Sequence, residues 1–201
     1  LLSAPSYAVI SSSDRWFLQW YWDTHSVGVY SFAQSIGMAG LLFSGAVTTS
    51  WFPELMRLRT NTIRSSSHDI EQALSRTIGC LIGLWLVVAT LGGDILRLIA
   101  HASFHEGAGY VPWLAAAAFF YGVSSLATTG MLIKEDMIPA AKCWAAGAVV
   151  NIVGSWLVIP RFGGSGAAVV QTVTFLGVAS GIFWLSYRRH PLSLSWITLF
   201  A

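Results

Sequence analysis

The residues able to do chemistry are few, and they fall into three groups. His101, His105 and Glu106 lie together in HASFHE. On a helix, two imidazoles four residues apart could share one face, where they could hold a metal or respond to protons. The same residues also suit an ordinary loop at a membrane boundary. Asp14 and Arg15 form the second group, set against five aromatic rings in DRWFLQWYW. Adjacent helical residues point about 100° apart, so this acid and base do not simply neutralise each other. Arg15 could pair with another helix, face a water-filled cavity, or snorkel toward the headgroups. The third group is a set of polar stripes: Ser11, Arg15 and Gln19; Ser31, Gln34 and Ser35; Tyr121, Ser124, Ser125 and Thr128; Asn151 and Ser155; Gln171, Thr172 and Thr174. These suit either hydrogen bonds between helices or a shared water-accessible interior. No Ser/His/Asp order, paired-carboxylate site or H-E-x-x-H stands out, so neither an enzyme nor a bound cofactor or metal is expected.

The elements that position these residues follow from composition. The chain has 201 residues, 55% hydrophobic and 10% charged, with ten tryptophans. Soluble domains carry about 25% charged residues. A chain this poor in charge cannot cover itself with a solvated surface, and Trp collects at membrane boundaries. Its eleven Lys and Arg residues are scattered, which argues against a nucleic-acid partner. Cys80 and Cys143 sit inside apolar runs and make no metal or redox spacing. The chain opens at Leu1 without Met or a charged leader, as expected of a fragment.

Charge-free runs separate Asp23 from Glu54, Arg76 from Asp94, Glu106 from Lys134, Lys142 from Arg161, and Arg161 from Arg188. A spanning helix needs about 20 apolar residues. The expected fold is therefore all-α and polytopic, with spans at about 1–22, 27–52, 77–99, 110–133, 139–159 and 165–187, and residues 191–201 could open a further helix. If the first span runs outward, eight basic residues lie inside and three (Arg15, Arg97 and Arg161) outside, as the positive-inside rule favours. Asp69 and Gln72 resemble a capping box opening a short interfacial helix, though a plain connecting loop fits as well. Gly79/Gly83 and Gly177/Gly181 have the G-x-x-x-G spacing of packing faces. GGSGAA at 163–168 lacks the Lys-Ser/Thr of a P-loop, so a turn at a helix N-terminus is expected.

Several segments together resemble one family. DRWFLQWYWDTHSVGVYSFAQSIG carries an Asp-Arg-aromatic-x-Leu segment (Asp14, Arg15, Trp16, Leu18) followed by Val-Gly-x-Tyr-Ser (Val27, Gly28, Tyr30, Ser31). TTSWFPELMR and VVNIVGSWLVIPRFGGSGAAVVQTV follow in family order. The chain thus resembles the second half of the polysaccharide biosynthesis (O-antigen) flippases of the MATE-like MOP exporter superfamily, over about residues 10–190. Where the family often has a second asparagine after Asn151, this chain has Ser155. The resemblance implies the C-terminal six-helix transmembrane lobe of a multi-pass transporter in a bacterial inner membrane. That transporter would move polyprenyl-pyrophosphate-linked oligosaccharide by alternating access. It implies Arg15, with Asp14, as a contact for the diphosphate, and Gln19, Gln34, Asn151 and Gln171 as sugar or packing contacts. The implied partners are the lipid-linked oligosaccharide, membrane lipids, the missing N-terminal lobe, and the polymerase and glycosyltransferases of the same pathway. A MATE-like small-molecule exporter and a polytopic enzyme of lipid-linked sugar metabolism are the rival expectations.

Overall fold

A single glycine folds the C-terminal part of the chain back on itself. In a computed structural model, which describes residues 3–42, 45–46, 49, 67–133 and 137–189, all the regular structure is helical: α1 (Ser3–Tyr21), α2 (Thr24–Gly37), α3 (Ser67–Ile99), a 3-10 helix (Ala102–Gly109), α4 (Val111–Ile133) and α5 (Ile138–Arg189). Within α5, Gly163 leaves helical geometry at φ 55°, ψ −135°. That combination belongs to turns with a positive φ and suits only glycine. The limbs on either side, 138–162 and 164–189, then run antiparallel. A Cβ added at Gly166 would stand 2.9 Å from Val158 Cγ1, one at Gly154 3.0 Å from Val170 Cγ1, and one at Gly181 3.3 Å from Cys143 Sγ. Pro160, which lacks an N–H, lies in the last turn before the reversal. The Ser165 hydroxyl donates to the Phe162 carbonyl at 2.7 Å just after it. GGSGAA is thus a turn leading into a helix.

Each limb, at 1.5 Å per residue, is roughly 37 Å long, enough for a hydrocarbon core of about 30 Å. By length and composition, two helical stretches can cross a membrane: Ile78–Ile99 and Ile138–Leu185, the latter containing both limbs. Their outward faces are mainly aliphatic, with Trp156 and Phe162 also exposed on α5. Leu86, Val87, Leu91 and Leu98 on α3 are exposed, as are Val149, Val150, Val153 and Leu157 on α5.

The helices depart from the sequence reading at two places. The expected span 27–52 is interrupted, because α2 ends at Gly37 and helical backbone resumes only at Gly40. Bonds of the i→i+3 type bridge the break, from Leu41 N–H to Met38 O and Leu42 N–H to Ala39 O. Gly37 abuts α4 so closely that a Cβ there would stand 2.6 Å from Leu114 Cβ. The helix α3 begins at Ser67, so Asp69 lies inside it rather than capping it, and the expected interfacial helix is continuous with the apolar stretch. Among the described residues, nothing lies within 4 Å of a Cβ added at Gly79, Gly83 or Gly177, while Gly181 makes a close approach. The possible helix at 191–201 and most of the polar loop after Glu54 lie outside the described residues.

One end of the bundle gathers three connections. The Trp22 indole N–H donates to the Ile159 carbonyl at 3.0 Å, and its ring covers Gly163. Tyr110 covers Gly164, and Phe104 of the 3-10 helix packs beside His25. Asp23 caps α2, its carboxylate accepting from the Ser26 N–H at 2.7 Å. These hydrogen bonds hold its carboxyl below the usual range.

Gly163→Ala imposes a backbone conformation that L-residues avoid and presses a methyl group 3.1 Å from the Trp22 ring. A strained residue of this kind costs on the order of 1–3 kcal/mol. A drop of several degrees in the Tm of the detergent-solubilised protein is expected, with no change for Gly177→Ala.

Candidate functional site

Two apolar clusters stack along the bundle, and a polar layer lies between them. Toward the Trp22 end are Leu18, Tyr30, Ala33, Leu96, Ile159 and Ala168. Toward the other end are Ile10, Trp144, Phe175, Val178 and Ile182, joined by a knot of rings in which the Tyr7 and Tyr121 centroids lie 4.9 Å apart. Going along α1, Ile10 gives way to Ser13 and Asp14 and then to Leu18. Along the hairpin, Phe175 and Val178 give way to Thr174 and Gln171 and then to Ala168. The buried polar side chains thus share one level, near mid-height of the limbs.

Asp14, 1% exposed, and Gln171, fully buried, meet across the Tyr30 hydroxyl. Tyr30 O–H bonds to Asp14 Oδ2 and lies 2.8 Å from Gln171 Oε1. It has one proton and so donates to one of them at a time. Gln34 Nε2 donates to the same Gln171 oxygen at 3.4 Å, and Gln34 Oε1 accepts from Arg15 Nη2 at 2.6 Å. The chain Asp14–Tyr30–Gln171–Gln34–Arg15 therefore ties α1 to α2 and to the second limb of α5. Beside it, the Ser13 hydroxyl donates to Asn151 Oδ1 at 2.7 Å, and Asn151 Nδ2 donates to Thr174 Oγ1 at 3.4 Å. Among the described residues, Asp14 Oδ1 and Ser155 Oγ are buried without a partner.

Asp14 and Arg15 diverge by about 100° around α1, which is enough to part their environments. Asp14 faces inward, while Arg15 emerges from the layer onto the exposed side of α1. Among the described residues no carboxylate forms an ion pair with Arg15, the ion pair present being that of Arg97 with Asp94 at 3.6 Å. Arg15 shares its exposed arc with Ser12, Trp16, Gln19 and Trp20. Gln19 Nε2 donates to Thr24 Oγ1 at 3.3 Å.

The structure thus joins four of the six candidate residues, Asp14, Arg15, Gln34 and Gln171, in one network. It places Asn151 in the neighbouring cluster and leaves Gln19 on the surface. Sequence reasoning passed over Tyr30, the hub. The usable signal was its position one turn before Gln34 on the same face of α2. It also passed over Ser13, because the exposed stripe of Ser11, Arg15 and Gln19 drew attention away from the buried face.

The histidines serve local structure. His101 caps the 3-10 helix, its ring accepting from the Ser103 N–H. His105 Nε2 lies 3.2 Å from the Ala100 carbonyl, and Glu106 accepts from the Tyr110 hydroxyl at 2.9 Å. Among the described residues no three His, Cys, Asp or Glu side chains gather as a metal site.

The chain is similar to the "Probable low-salt glycan biosynthesis flippase Agl15" of Haloferax volcanii, at 21% identity over 187 residues. The match takes in 87% of this chain and 39% of the relative, so the chain spans well under half of the relative's length. No protein-family model matches the chain, and no solved structure matches it significantly.

Tyr30→Phe keeps the ring but removes the hydroxyl shared by Asp14 and Gln171. Leaving buried polar groups unpaired costs about 1–3 kcal/mol. The Tm of the solubilised protein should fall by several degrees. Tyr110→Phe removes only a solvent-exposed bond to Glu106 and should leave it within a degree or so.

Proposed function

We propose that the chain is the C-terminal six-helix lobe of a multi-pass membrane flippase that carries polyprenyl-diphosphate-linked oligosaccharide across the cell membrane. The observation that carries this reading is Arg15. It lies seven residues before Trp22, roughly 10 Å along the helix. It is exposed, lacks a carboxylate partner among the described residues, and is held from behind by a buried amide. An arginine facing hydrocarbon at depth costs about 2.5–3.5 kcal/mol on insertion scales, so a water-filled cleft facing the other lobe is the environment that suits it. The guanidinium fork matches phosphate oxygens in a bidentate fit that a lysine cannot reproduce. The distant similarity to a glycan biosynthesis flippase supports the same reading.

On this reading the polar layer is scaffold and the exposed arc of α1 is contact surface. Asp14, Gln34 and Gln171 orient Arg15, and Asn151 locks the hairpin to α1 through Ser13. Gln19 reaches toward sugar hydroxyls. The cycle is a rocking of two lobes around a midplane site, without covalent chemistry or a bound cofactor. The partners are the lipid-linked oligosaccharide, surrounding lipids and an N-terminal lobe.

The test is export of surface polysaccharide in a flippase-null strain expressing the full-length protein, normalised to its level in the membrane. Arg15→Ala should cut export roughly tenfold or more, the loss expected for a charge-assisted bond, at normal abundance. Arg15→Lys should keep part of it. Wild-type export from Arg15→Ala at normal abundance would remove the residue from the mechanism.

A further inference from the structure

Building on that reading, we infer that Trp16 and Trp20 form a stacking platform for the sugar rings of the lipid-linked substrate, beside the diphosphate contact at Arg15. Trp16 is 77% and Trp20 82% exposed, among the most exposed large side chains of the chain. They stand one helical turn apart, about 6 Å along the axis. At 100° per residue, Arg15, Gln19, Ser12, Trp16 and Trp20 fall in that order on one arc of about 140°. The opposite arc carries Asp14 and Leu18, both buried.

The chemistry of this arc separates it from the faces that meet lipid. The exposed faces of α3 and of the first limb of α5 are mainly aliphatic, with runs such as Leu86, Val87 and Leu91. The α1 arc instead interleaves two indoles with a guanidinium, an amide and a hydroxyl. Hydrocarbon would penalise those polar groups. A glycan needs both kinds of surface. The C–H face of a pyranose, polarised by its oxygens, meets the negative face of an indole. Its hydroxyls, directed sideways, find the donors and acceptor of Gln19. Among the described residues the Gln19 amide makes a long side-chain bond of 3.3 Å to Thr24 and no other. A diphosphate on Arg15 sets the first sugars along the helix toward its Trp22 end, across the two indoles. Stacking tolerates differences between sugars, so the platform would confer affinity for glycan as a class.

The test uses the full-length protein in nanodiscs and two probes: undecaprenyl diphosphate, and undecaprenyl diphosphate carrying chitobiose. Wild type should bind the glycosylated probe more tightly. The double variant Trp16→Leu, Trp20→Leu keeps an apolar surface but loses the indole faces. It should lower the glycosylated probe's affinity about tenfold, the worth of two aromatic contacts, with the bare probe unchanged. Trp16→Tyr with Trp20→Tyr should restore most of the loss. If the leucine variant keeps the full glycan increment, or weakens both probes equally, the indoles pack against lipid or the other lobe and the platform is overturned. Binding of the bare probe that is indifferent to Arg15→Ala would instead overturn the diphosphate site while leaving the glycan increment to be read separately. Failure of wild type to bind either probe would overturn both.

Discussion

Where the surroundings are lipid, a buried amide that loses its partner has no water to replace it. That constraint organises this bundle. Gln34, Gln171, Asn151, Asp14 and Tyr30 sit at one level between two apolar clusters, and their side-chain bonds run between helices. A shift of α1, α2 or the hairpin by one residue would break several bonds at once. The apolar clusters supply contact area but tolerate sliding, whereas the polar layer fixes register. Hydrogen bonds between helices in lipid average well under 2 kcal/mol each, so the layer acts more through specificity than through strength.

The same layer explains the placement of an exposed cation. Arg15 reaches the arc of α1 that also bears Ser12, Gln19 and two indoles, while its guanidinium is anchored at 2.6 Å to an amide that is itself held in place. An arginine so tethered loses less freedom on meeting an anion than a mobile one. On the proposed reading stability and recognition are joined, because the buried bonds that lock the helices would also aim the charge. The Gly163 reversal contributes by bringing Asn151 opposite Thr174 and presenting Gln171 to Tyr30.

Much of this was legible in the sequence, and what was missed has physical causes. Charge-free runs marked the helices, and GGSGAA marked the turn, because lipid-facing segments must be apolar and Gly163 takes a conformation that suits glycine alone. The divergence of Asp14 and Arg15 followed from helical geometry. The break after Gly37 left no charge or proline as a marker, and Gly37 meets Leu114 there, on a helix distant in sequence. Tyr30 read as an aromatic motif residue, because its role depends on Asp14 and Gln171, which only the folded chain brings to its hydroxyl. Among the described residues Gly79, Gly83 and Gly177 meet no partner, because spacing names a helix face but not what lies across from it.

On the proposed reading the buried amides act on the substrate through Arg15. A double-mutant cycle on the full-length protein tests it most directly, with undecaprenyl diphosphate binding in nanodiscs as the readout. Gln34→Leu, a buried change that touches no ligand, should weaken binding severalfold in the wild-type background and have no further effect once Arg15→Ala is present. Additive effects of the two changes, or unaltered binding by Gln34→Leu at normal folding, would contradict the claim.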